Sequence, residues 1–440
     1  YGPSENIGWD SGSSLTNTIA IATLDGYNVT VTNNIAKALQ NPNTEAEAYG
    51  TIDGIEVKGT EVRVNNNTIV VEGKYTSFVY AINGLGMADV NITNNRIEAY
   101  SERYIAGIQI GSDFISGIDG ANVLIANNRI IGNSKNLTVL ADNEAMAYGI
   151  ISSTMGGSAC ENITIINNNI AMNATVGYGL ELYTTNKVKV INNTITMRAP
   201  YAMGMGFAHA TENIIDSNNI TTYGDSSVGI QGVVEEIQPA NVGIQIQQES
   251  DDTNITNNRV ITFDAASGAL AINVEDSNNL VVKNNIIDTN TDHGTKAMSI
   301  PKGQSVENNT GYITTVTKDN YSQYFNAKGE MINIPECSQV ILSGEFTDKN
   351  FTVTVPGTLI TCDENGIIRN GKVRIDSNAT SATISHININ NTNTTIDASI
   401  ENAATNAIIV NNTIYMQQAT GITQGIKNYA GYTLIRANNV

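Results

Sequence analysis

The stretch "DVNITNNRIEAY" occupies residues 89–100, and "ANVLIANNRIIG" repeats its plan at residues 121–132. In both, apolar and polar residues alternate with the period of a half-buried strand, and an Asn-Asn pair interrupts the alternation. The pair or a near variant recurs in "VTNNIA" (31–36), "VNNNTI" (64–69), "IINNNI" (165–170), "VINNTI" (190–195), "DSNNI" (216–220), "ITNNRV" (255–260), "VKNNII" (282–287), "VENNTG" (306–311) and "IVNNTI" (409–414). Self-similarity of this kind is the mark of a repeat architecture.

A second segment recurs between the pairs, as in "DGIEV" (53–57), "AGIQI" (106–110), "YGLEL" (178–182) and "VGIQI" (242–246). Its small residue falls at Gly54, Ala81, Gly107, Gly149, Gly179, Gly204, Gly243, Ala271 and Ala297, in steps of 27, 26, 42, 30, 25, 39, 28 and 26. No amphipathic helical pattern lies between these marks. Each repeat holds a strand of the form G-I-x-I, a turn, a second strand, the Asn pair, and a third strand such as "RIEAY". About three short strands per repeat, with too little chain for helical crossovers, predict an all-β parallel β-helix whose coils stack about 4.8 Å apart.

The Asn pairs have a structural role in that fold. The chain bends sharply after the second strand, and Asn tolerates the left-handed conformation better than any residue but Gly. An inward Asn also bonds its copies in the coils above and below, which satisfies buried amides. The predicted ladder comprises Asn66, Asn67, Asn94, Asn95, Asn127, Asn128, Asn167, Asn168, Asn192, Asn193, Asn257, Asn258, Asn284 and Asn285.

Composition excludes several classes. Among 440 residues, 42 acidic and 23 basic side chains give a net charge of −19, which argues against nucleic acid and against anionic membrane surfaces. No apolar run approaches the length of a membrane span, and no signal peptide opens the chain. Cys160, Cys337 and Cys362 do not form a disulfide framework. Cys337 and Cys362 are one repeat apart, so a bridge between them is open, but two buried thiols are the preferred reading.

The coils resemble the right-handed parallel β-helix superfamily that includes pectate lyases. More narrowly, "VTKDNYSQYFNAKGEMINIPECSQVILSGEFTDKNFTVTVPGTLITCDENGIIRNGKVRI" (residues 316–375) resembles adhesin-like surface proteins of methanogenic archaea, where a similar stretch opens a fresh block of coils. The resemblance implies a right-handed solenoid of two consecutive blocks. The first is 1–315. The second is 316–440, which starts with a capping-like segment at about 316–335 and stops in mid-coil. Because solenoid ends need polar caps, the chain is expected to be a segment of a longer polypeptide, with neighbouring segments as partners.

Chemistry is sparse in the sequence. Calcium wants several oxygens in one place, and a β-helix hydrolase wants two or three carboxylates in one cleft. The x positions of G-I-x-I hold only Glu56 and Glu181 as acids, separated by non-acidic coils. Glu249, Asp251 and Asp252, with Glu275 and Asp276 of the next coil, are weak calcium candidates. No other cofactor or metal is expected, and His209, His293 and His386 are far apart in the repeat register. Long steps flank the first strands around Gly107 to Gly204, and long loops on a rigid scaffold commonly carry binding. Between them Gln109, Glu181, Tyr183, Gln245 and Gln247 form a candidate trough suited to a neutral or basic carbohydrate. Asn136, Asn173 and Asn320 are the glycosylation candidates, being loop copies of N-x-S/T. Three functions follow: a non-catalytic, extracellular adhesin-like module for another cell or a surface polysaccharide; a polysaccharide lyase or glycoside hydrolase; or a purely structural envelope protein. The isolated acids favour the first.

Overall fold

A computed structural model describes residues 5–8, 14–39, 51–73, 78–102, 104–112, 120–134, 146–152, 159–224, 241–264, 269–288, 298–301, 304–307, 309, 313–334, 338–392, 396–417 and 424–440. Strand is the predominant structure of these residues, and the one α-helix among them, α1, is the single turn Tyr321–Tyr324. The chain divides into two compact units. One is Tyr1–Val282 with Ile300–Ser305; the other is Lys283–Ser299 with Val306–Val440. The sequence boundary near 315 falls inside the second.

In the first unit a coil consists of three strands, for example Thr51–Thr60, Arg63–Asn65 and Thr68–Glu72. Each strand pairs in parallel with its counterparts in adjacent coils. Arg96–Ser101, for instance, lies between Thr68–Glu72 and Arg129–Ser134, with Ile97 opposite both Ile69 and Ile130. The isoleucine column continues through Ile170, Ile195 and Ile220, every member fully buried. Parallel strands joined by short crossovers make a β-helix, right-handed as such crossovers are. In the second unit, the order Ile313–Val316, Gln339–Leu342, Leu359–Cys362, Thr383–Ser385, Ile408–Val410, Leu434–Arg436 builds one sheet, and two further sheets complete the coils. Tyr321, Phe325, Phe346 and Phe351 interlock within its core, with ring centroids 5.1–6.4 Å apart.

The small-residue marks sit where the first strand presses on the third. A Cβ built on Gly107 comes within 2.5 Å of both the Ile130 methyl and the Gly149 carbonyl oxygen. Space, rather than backbone dihedral, selects glycine there.

The two members of each Asn pair divide the bend and the inward rung between them, although first members also meet across coils, as Asn192 Nδ2 donates to Asn167 Oδ1 at 2.8 Å. The first turns the chain: Asn66, Asn94, Asn127, Asn167, Asn192, Asn257 and Asn284 have φ between 54° and 57°. The second is buried and forms the ladder. Asn67 Nδ2 donates to Asn95 Oδ1 at 3.0 Å, Asn95 to Asn128, Asn128 to Asn168, Asn168 to Asn193 and Asn193 to Asn218, each at 3.0 Å. The other Nδ2 hydrogen reaches back to a strand carbonyl, as from Asn128 to Ile92 O at 2.9 Å. In the variant pair Ser217 takes the left-handed position and Asn218 the rung, donating to Asn258. The second unit repeats the device between Asn285 and Asn309 and between Asn412 and Asn438.

Candidate functional site

The strand register aligns the trough residues on one outer face of the first unit. Gln109 pairs with Ile151, Ile151 with Glu181, Glu181 with Gly206 and Gly206 with Gln245. Tyr183 stands in the next outward column, opposite Ala208, which in turn faces Gln247. Alternation alone assigned all of these to solvent, and that expectation needs correcting. Gln109 is 6% exposed and Gln245 1%, whereas Tyr183 is 43% exposed. Gln245 is also engaged, donating to Gln247 Oε1 at 3.3 Å and accepting from Asn273 Nδ2 at 2.9 Å. The long connections expected to flank the trough, 113–119, 135–145, 153–158 and 225–240, lie outside the described residues.

Beside this column runs a line of aromatic rings that the sequence reading missed. Phe78, Tyr104 and Tyr201 occupy one outward column, and Tyr80, Tyr148 and Tyr178 the next. Successive centroids from Phe78 through Tyr104, Tyr148 and Tyr178 to Tyr201 are 5.3, 5.4, 5.1 and 6.2 Å apart, and Tyr148 and Tyr178 are stacked at 10°. The signal was a tyrosine directly before the small mark, as in "YAING", "YGIIS" and "YGLEL". At the open end, Tyr183 meets exposed His209 edge-on at 5.4 Å. Ser152 fixes the Tyr183 backbone, its Oγ accepting from the amide at 2.8 Å.

Two carboxyls are embedded in this face. Burial pushes Glu181 up to about 7, and its charge in turn raises the Tyr148 and Tyr178 phenols, for which burial is the larger cause. Burial, and then the Glu56 carboxylate, push Asp53 up to about 7, against the hydrogen bonds it accepts from Asn83 and Thr51. Asp53 is 2% exposed, and its Oδ1 has no partner. Removing a carboxylate from water favours its protonated form.

The acids proposed for calcium serve turns instead. Glu249, Asp252 and Asp276 hold left-handed bends, with φ of 59°, 56° and 46°. Asp251 accepts from the Asn278 amide at 2.6 Å, Asp252 from Asn279 Nδ2 at 3.2 Å, and Glu275 from Asn273 Nδ2 at 2.6 Å. Among the described residues no three Asp, Glu, His or Cys side chains gather as a metal site. Of the glycosylation candidates, Asn136 lies outside the described residues. Asn173 donates its amide to Asn133 Oδ1 at 3.3 Å. Asn320 accepts from the Thr317 amide at 2.7 Å and donates to Thr315 O at 3.1 Å, so both are tied into the fold. Cys362 is a free thiol that burial pushes up to about 11, and Cys160 is a buried thiol outside any disulfide. Cys337 lies outside the described residues. No helix among the described residues is long and apolar enough to cross a membrane.

No protein-family model and no curated protein matches the sequence. Among solved structures, the chain is similar to the catalytic unit of a thermostable α-1,3-glucanase from Streptomyces thermodiastaticus, with 14% identity and a TM-score of 0.37 over 87% of this chain. It spans 63% of that unit's length. It is also similar to a Streptococcus pneumoniae surface protein and adhesin, at 14% identity and TM-score 0.32 over 86% of this chain and 91% of the other. A mannuronan C-5 epimerase A-module from Azotobacter vinelandii shows 13% identity and TM-score 0.30 over 89% of this chain and 91% of the other. Likenesses of this depth carry no functional argument. The narrower resemblance to archaeal adhesin-like proteins finds no support among them.

Proposed function

We propose that the chain is a non-catalytic, extracellular glycan-binding β-helix of a cell surface, and that the accessible end of the aromatic face of the first strands is its recognition surface. The observation that carries this reading is the line of packed, half-buried rings from Phe78 to Tyr201 on the outer side of the sheet, beside which Tyr183 stands exposed. Flat rings give sugars apolar contact area, while phenol and amide groups beside them supply hydrogen bonds. Tyr183, His209 and Gln247 form the accessible end, with Glu181 recessed behind them. Embedded carboxyls and a chain of net charge −19 favour a neutral or basic glycan over an anionic one.

Glu181, held protonated toward neutral pH, also suits a general acid, which favours glycan cleavage as a second reading. Cleavage by paired carboxyls needs them about 5–9.5 Å apart. Asp53, the other carboxyl of this kind on the face, is four coils away, about 19 Å. The spacing supports binding over chemistry.

Glycan-array binding followed by calorimetry on the strongest hit tests the proposal. Tyr183→Ala and Glu181→Gln are each expected to weaken binding about tenfold, with the β-sheet circular dichroism unchanged. Release of new sugar ends from the bound glycan supports the second reading. Wild-type affinity in both folded variants removes this face as the site.

A further inference from the structure

The second unit carries a cleft of about 440 Å³ lined by Lys318, Tyr321, Glu345, Phe346, Thr347 and Lys349. Its floor is aromatic and rigid: Tyr321 lies 6.4 Å from Phe346, centroid to centroid, and its hydroxyl donates to Asn350 O at 2.6 Å. Its rim is charged. Glu345, the one acid in the lining, is already engaged by Arg369, whose Nε lies 3.0 Å from its carboxylate. That hydrogen bond, with the Arg369 charge, a hydrogen bond from Thr347 and, least, the charge of Lys318, holds the Glu345 carboxyl below the usual carboxylate range. Neither exposed lysine forms an ion pair at salt-bridge distance among the described residues: Lys318 acts on Glu345 through its charge only, and Lys349 Nζ sits 4.9 Å from the Tyr321 centroid. Asp319 and Asp348 adjoin them in sequence but do not line the cleft.

From this arrangement we infer that the cleft binds an oxyanion, a phosphate or sulfate ester. Two ammonium groups lining a cleft with an aromatic floor offer rotatable donors to a group with several oxygens. The chain as a whole repels anions, so attraction must be local, and it is screened at physiological salt. The cleft is a separate site from the aromatic face and its reading does not depend on that one.

The test is titration of the full chain with glucose 6-phosphate, glucose 6-sulfate, glucuronate and glucose at low salt, read by calorimetry or chemical shift. One or both esters are expected to bind, with glucose silent; which ester binds identifies the source. Lys318→Ala/Lys349→Ala is expected to weaken binding about tenfold, from roughly three- to fivefold per exposed ion pair. Lys187→Ala/Lys189→Ala makes the same charge change on exposed lysines of the first unit and is expected to leave affinity unchanged. Lys318→Ala alone, whose side chain covers no ring, keeps the test open if the double variant fails to fold. Silence of both esters, equal binding of glucose or glucuronate, or equal loss in the two double variants would overturn the inference.

Discussion

Replacing Asn128 by Ala removes one rung and leaves the turn beside it intact. The Asn128 side chain makes four hydrogen bonds: Oδ1 accepts from Asn95 N at 2.9 Å and Asn95 Nδ2 at 3.0 Å, and Nδ2 donates to Ile92 O at 2.9 Å and Asn168 Oδ1 at 3.0 Å. The acceptors keep other options, since Asn168 Oδ1 still receives the Asn128 backbone amide at 2.9 Å. The Asn95 backbone amide and one Nδ2 hydrogen lose their acceptor, while Nδ2 keeps its bond to Val64 O at 2.9 Å; each buried orphan costs about 1–3 kcal/mol, so a loss of about 3–4 kcal/mol is expected. Asn127, its neighbour, is exposed with φ of 57°. Asn127→Ala is expected to cost only about 1 kcal/mol, and Asn127→Gly to lie within about 0.5 kcal/mol of wild type, because glycine accepts that conformation freely. Urea unfolding followed by circular dichroism reads the difference. Hydrogen exchange localises it, because a coil touches only its neighbours and the Asn95 and Arg129 amides should open first. If Asn128→Ala costs less than Asn127→Ala, the division of roles within the pair is wrong.

Other substitutions probe the core and the face. Gly107→Val should destabilise by about 2–3 kcal/mol through overpacking against Ile130, and Gly107→Ala by less, since Ala81 and Ala271 occupy the same column; a melting temperature unmoved by valine would contradict the contact. Ile170→Ala should cost about 2–5 kcal/mol in a column with no exposed neighbour to fill the void, measured by the same unfolding curves. The raised carboxyls set a pH dependence. Glu181 and Asp53 keep their protons to about 7 when folded, whereas unfolded carboxyls ionise near 4. Their contribution is fully present below about pH 4, declines as pH rises to 7 and is flat above. For Glu181 the swing is about 3 kcal/mol, and Glu181→Gln should remove it from the stability profile measured between pH 4 and 8. An unchanged profile would place that carboxyl in water.

The repeat was legible because its determinants are local. "TNN" and "ANN" declare a bend and a rung wherever they fall, and "GIQI" declares a strand with a tight inner contact. Even the separate jobs of Asn94 and Asn95 were within reach, since only the second position of a pair alternates inward with the following Ile97. The face was less legible. Alternation identifies which side of a strand Gln109 and Gln245 occupy but not what covers that side, and they proved buried. The tyrosines were overlooked because Tyr104 and Tyr148 are 44 positions apart and meet only through the coil register. Glu249, Asp252 and Asp276 misled for a related reason. A solenoid with many left-handed corners uses acids as well as Asn to make them, so an acidic run at a corner carries no ligand signal by itself.

The amide ladder gives the first unit an electrical direction. From Asn34 to Asn218 each Nδ2 donates toward the higher-numbered coil and each Oδ1 faces the lower-numbered one. The side-chain dipoles therefore add, as peptide dipoles do along an α-helix, and each bond polarises the next. The row is positive toward its Asn258 end and negative toward its Asn34 end. A rung turned the other way round would set like dipoles head to head inside the protein.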